Sequence, residues 1–159
     1  MRTLILALLF PLPAFAACNG TTLVSCPIKG TQWLEVCLNG DDLTYAYGRI
    51  GRAPDLALRE PLANGTYRPW NGIGRSMWES ITFTNAEYTY EVFASFDRLD
   101  ENAITEQGVS VLKNGSLVTT LTCDPALGMT LFDNLYDQMG ARGYCWNRDI
   151  FAWARACPE

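Results

Sequence analysis

The chain has 159 residues, 48% of them hydrophobic, with 12 basic and 17 acidic side chains, six cysteines and no histidine. That length builds one domain with a real core, not two. The missing histidine excludes Ser-His-Asp and Cys-His catalysis, His-ligated zinc and a histidine pH switch. The formal charge of −5 argues against nucleic acid and anionic membranes as partners and favours a cationic one.

Residues 1–16 read as a signal peptide. Arg2 supplies a positive start, Leu4 to Phe15 an apolar run, and Ala14-Phe15-Ala16 a small-x-small cleavage pattern. The run is shorter than the roughly 20 apolar residues that span a bilayer. No later run is apolar enough, so no stable membrane insertion is expected. Residues 17–159 are then one exported domain, periplasmic or secreted. All six cysteines, Cys18, Cys26, Cys37, Cys123, Cys145 and Cys157, follow the predicted cut. An even count in an exported chain favours disulfides. Bridges between the early and late groups would tie the chain ends together, and Cys26 to Cys37 is the local alternative. Lipidation of Cys18 competes, but Phe15-Ala16-Ala17 is a poor lipobox.

Strands are predicted over Thr21 to Cys26, Gln32 to Leu38, Leu43 to Gly48 and Leu56 to Leu58. Asn39-Gly40-Asp41-Asp42 is a turn between the second and third, and Pro61 limits the fourth. A turn at Asn64-Gly65-Thr66-Tyr67 and a Gly/Pro-rich loop, Arg68 to Arg75, lead into the clearest period-two signal. That is a hairpin of Met77 to Thr84 and Glu87 to Phe96. Asp97 to Gln107 reads as a charged loop. Val109 to Leu112 and Leu117 to Cys123 flank a turn at Lys113-Asn114-Gly115-Ser116. Met129, Phe132, Leu135, Tyr136 and Met139 recur at helical spacing, with Gly140 as terminator. Gly143 to Ala156 reads as a short second helix or an irregular segment pinned by Cys145 and Cys157. The fold class is mainly β, a single antiparallel β-barrel or sandwich of about eight short strands. A short helical segment follows it and disulfides staple it.

No C-x-x-C, cofactor motif or metal-ligand spacing is present, and the chain does not read as an enzyme. Glu79, Glu87, Glu91, Asp97, Asp133 and Asp137 are the acid/base candidates. Glu79 with Glu91 is the pair a glycosidase would need. Asn19, Asn64 and Asn114 match the N-glycosylation pattern, and each also suits a tight turn. Tyr67 and Trp70, with Arg68 and Arg75, make the loop before the hairpin look like a binding loop on a rigid scaffold.

That loop resembles the Ser-Gly-x-Tyr loop of small exported β-proteins that inhibit lysozymes in Gram-negative bacteria. Asn64-Gly65-Thr66-Tyr67 stands at its place, followed by Arg68, Trp70, Arg75 and Trp78. Asn64 replaces the family's serine, and the helical tail is an addition to the usual inhibitor barrel. The resemblance implies a periplasmic lysozyme inhibitor whose protruding loop blocks the enzyme's cleft. Its partner-binding residues would be Asn64, Gly65, Thr66, Tyr67, Arg68, Trp70 and Arg75. The partner would be a lysozyme or another cationic exported protein, and no cofactor is needed. The alternative is a carbohydrate- or envelope-binding module that stacks a glycan on Trp70 and Tyr67, or a structural envelope protein.

Overall fold

The computed structural model describes residues 18–124, 132 and 134–155. The predicted signal peptide, Met129, Asp133 and Cys157 lie outside the described residues. Two antiparallel meanders make up the body. The first is β1 (Thr21–Ile28), β2 (Gln32–Asn39), β3 (Asp42–Arg49) and β4 (Leu56–Pro61), paired in that order. The second is β5 (Tyr67–Arg68), β6 (Ser76–Asn85), β7 (Tyr88–Asp97), β8 (Glu106–Lys113) and β9 (Ser116–Thr122), also in chain order. Short turns set this topology. At Asn114-Gly115 both residues have positive φ, 48° and 78°, the backbone of a tight hairpin turn.

Each sheet turns one face inward. Leu34, Val36, Leu43 and Tyr45 from the first sheet meet Ile81, Phe83, Val92 and Val109 from the second, all buried. Tyr45 lies 5.4 Å from Phe83 and 5.7 Å from Tyr90, ring centre to ring centre. The architecture is sandwich-like, and the barrel alternative is not formed. At one seam β5 is only two residues long, too short to ladder the sheets together. At the other, the β9 side chains are exposed save for Leu121, which packs against the core. Leu117 is outside although its spacing in sequence matches Leu121, because a register shift at Val111/Leu112 sets it opposite Leu112 and out of phase with Leu121.

The second seam is clasped covalently. Cys26 bridges to Cys123, with Cα atoms 5.6 Å apart, and the Asp124 N–H donates to the Pro27 carbonyl at 3.0 Å. Cys18 pairs with Cys37. The local alternative Cys26–Cys37 is thus replaced by one early-to-late clasp and one N-terminal staple. Directly opposed residues in the β1–β2 ladder explain it, because Cys37 faces Thr22 while Cys26 faces Leu34. Cys145 is also oxidised.

The only α-helix among the described residues, α1, spans Leu135–Ala141 and buries Leu135 and Met139, four residues apart. It continues through Gly140, and the left-handed residue after it is Gly143, with φ 78°. Arg142 ties its end to the β2–β3 turn through Asp41 Oδ1 and the Gly40 carbonyl, each at 3.0 Å. The segment expected as a second helix or irregular coil is a hairpin instead, β10 (Cys145–Asn147) and β11 (Ala152–Ala154). Trp146 faces Trp153 across it, and Asn147 Oδ1 accepts from the Asp149 and Ile150 N–H groups. That side-chain turn offers the backbone an alternative to helix.

Candidate functional site

β5 places Tyr67 opposite Ile81 and Arg68 opposite Ser80 of β6. Opposed residues in an antiparallel pair share a face, so Tyr67 follows Ile81 into the core. Tyr67 is 0% exposed. Its hydroxyl donates to Glu79 Oε1 at 3.0 Å. Its ring stacks on Trp153 at 5.7 Å and meets the edge of Phe132 at 6.4 Å. The Trp153 indole N–H donates to the Tyr67 carbonyl at 2.8 Å, binding the C-terminal hairpin down on β5. Burial first, and then the neighbouring Glu79 carboxylate, push the Tyr67 phenol up.

Glu79 is half-buried in the same cluster. Burial raises its carboxyl above the usual range, although hydrogen bonds from Tyr67 and the Phe132 backbone act the other way. Glu79 Oε2 is buried with no hydrogen-bond partner among the described residues. Glu91 does not complete a catalytic pair with it. Glu79 faces Ala94 and Glu91 faces Thr82, three positions along, so the two carboxylates project from opposite faces of the sheet.

Two residues beyond β5 the chain leaves the core and makes the 69–75 loop. The Trp70 indole N–H donates to the Ile73 carbonyl at 3.0 Å, and Asn71 Oδ1 accepts from the Ile73 N–H at 3.0 Å. Gly72 and Gly74, both at positive φ, let the chain double back. Arg98 braces the loop from outside. Its guanidinium lies 5.4 Å over the Trp70 ring, and its Nε donates to the Gly74 carbonyl at 3.0 Å. Arg75 pairs with Asp97, whose carboxyl is held below its ordinary value by the Leu99 N–H and by Arg75. At the tip Ile73 is 77% exposed.

The seven residues expected to bind a partner therefore divide. Arg68 and Arg75 are exposed and Trp70 is half-buried. Asn64 is exposed at the end of a 3-10 turn (Leu62–Asn64) and donates to Glu60 Oε2 at 3.1 Å. Gly65 and Thr66 are half-buried, with Gly65 left-handed at φ 65° against Trp153. Tyr67 is the correction: it is a core residue and presents no surface. The Tyr67–Trp70 glycan platform fails for the same reason, and one face of Trp70 is covered by Arg98. Ile73 and Arg98 were missed. Neither carries a local motif, and the Arg98 contact joins positions 28 apart in sequence.

No protein-family model, curated protein or solved structure matches the chain.

Proposed function

We propose that the protein is an exported inhibitor of a lysozyme, and that the 69–75 loop is the element it inserts in the enzyme's cleft. The observation that carries this reading is a braced loop with an uncovered apolar tip. Ile73 stands exposed on a turn whose backbone is held by Trp70 and Asn71 at Ile73 and by Arg98 at Gly74. A loop ordered before binding loses little entropy on docking. Arg68 and Arg75 flank it as cations for the two carboxyls of a glycosidase cleft, Arg75 by exchanging Asp97 for an enzyme carboxylate. The acidic body suits encounter with a basic enzyme. Tyr67 supports the loop from the core in this account and takes no part in contact.

The test is titration of the oxidised protein into chicken-type, goose-type and invertebrate-type lysozymes while cell-wall lysis is followed. Stoichiometric loss of lysis with one class, relieved by Ile73→Asp, is the expected result. Full lysis with all three classes, from protein shown to be folded, would remove the proposal.

A further inference from the structure

The outer face of the first sheet holds a second feature, remote in sequence from the loop. Trp33 and Glu35 are two apart on β2 and project outward, since the residues beside them, Leu34 and Val36, are buried. Glu35 faces Ser25 on β1 and Ala46 on β3, and Trp33 faces Pro27 on β1 and Gly48 on β3. These small neighbours leave the sheet surface low around two large side chains. The turn after β3 raises a wall, and together they enclose a groove of about 240 Å³ lined by Ser25, Trp33, Glu35, Ile50 and Gly51.

Glu35 is the unusual member. It is half-buried against apolar neighbours, and burial alone raises its carboxyl above the ordinary range. Its carboxylate belongs to none of the ion pairs or side-chain hydrogen bonds among the described residues. A partly desolvated anion without a counter-charge is unfavourable, and a cation delivered beside it relieves that. The indole next to it attracts cations through its ring face. Ile50, exposed at the rim, offers apolar surface to an alkyl stem. A neutral apolar ligand would bury the carboxylate further with nothing in return. A sugar would find few polar side-chain groups on these walls, Ser25, Glu35 and the Trp33 indole N–H, where a saccharide site needs several converging donors and acceptors.

We propose that the Trp33–Glu35 groove binds an organic cation, the alkylammonium or guanidinium end of a lysine or arginine side chain on a basic partner. The head sits over the Trp33 ring and donates to the Glu35 carboxylate, and the stem lies along Ile50. The site is independent of the 69–75 loop and stands whether or not that loop inhibits an enzyme.

The experiment uses isotope-labelled oxidised protein and amide and indole NMR shifts. The probes are n-butylammonium chloride and N-acetyl-lysine amide, with n-butanol at equal concentration as the neutral match and ionic strength held fixed. Saturable shifts at the Trp33 indole and at the Glu35 and Ile50 amides are expected for the cations, and none for butanol. Glu35→Gln should weaken the cation at least about tenfold with the rest of the spectrum unchanged. Trp33→Leu, which keeps an apolar side chain there, should weaken it too. Equal shifts with butanol, unchanged affinity in Glu35→Gln, or shifts that map elsewhere would each overturn the proposal. So would a chitooligosaccharide that saturates the groove while the cations do not.

Discussion

Tyr67 and Trp70 are three residues apart and have opposite fates. Tyr67 enters a ladder position on β5 and is sealed by Trp153, Phe132 and Glu79. Trp70 lies past Pro69, where the ladder has ended, and its ring is held by a loop carbonyl and an arginine. Both are aromatics in the same Gly/Pro-rich stretch. The difference comes from pairing with β6, which a reading of local composition does not register. The chain thus builds the 69–75 loop directly on a core anchor, so loop position and core stability are mechanically linked.

The largest break in this comparison is Tyr67→Ala. Loss of a fully buried aromatic should cost about 3–5 kcal/mol and release the C-terminal hairpin, read as a lowered urea midpoint. Tyr67→Phe separates packing from the hydrogen bond. It should cost about 1–3 kcal/mol, because Glu79 then keeps a buried oxygen with one partner fewer. A loss as large as that of the alanine variant would mean that the ring contacts matter little.

The disulfides should come next, and unequally. Cys26–Cys123 closes 97 residues of sequence and Cys18–Cys37 only 19. Chain entropy makes the longer closure worth about 1.4 kcal/mol more. Paired Cys→Ala variants compared by urea unfolding would show it, and equal losses would argue that the seam clasp is not limiting.

Glu79 gives a pH signature. Its folded carboxyl is raised above the ordinary 4.5, so its contribution is fully present below that value. It is lost as pH rises through the folded value. Glu35 acts in the same direction. Urea midpoints between pH 4 and pH 8 should fall with pH from this cause, and Glu79→Gln should flatten that slope and raise stability at pH 8. An unchanged slope in that variant would contradict the assigned burial of the group.

The smallest effect is expected on the loop itself. Arg98→Ala should change global stability by about 1 kcal/mol or less, since its contacts are exposed. It should nevertheless speed hydrogen exchange at residues 71–75. Protection unchanged there would show that Arg98 does not brace the loop.

Much of the sheet was legible before the structure. The alternation in β6 and β7 reports a half-buried strand pair directly, and Asn114-Gly115 marks the turn between β8 and β9. What was not legible depends on distance along the chain. Tyr67 is buried by Trp153, 86 positions later, and nothing near Tyr67 announces that. The β10–β11 hairpin rests on Trp146 facing Trp153, whose spacing of seven fits a helix equally well. The barrel alternative failed at β5, whose two residues are too few to leave a periodic trace. For the candidate site, the arginines and Trp70 were visible as exposed residue types in a turn-rich stretch. Ile73 was not, because an apolar residue in sequence reads as core unless its surroundings are known.

The proposed role of the loop is tested most directly by titrating three variants made in parallel, Ile73→Asp, Arg75→Ala and Tyr67→Phe, against whichever lysozyme class the unaltered protein proves to inhibit. Losses of about 30-fold or more are expected for the first two, with unfolding midpoints unchanged. Tyr67→Phe should lose little affinity, and its midpoint alone should fall. Full affinity in both loop variants, or a loss confined to Tyr67→Phe, would contradict that role.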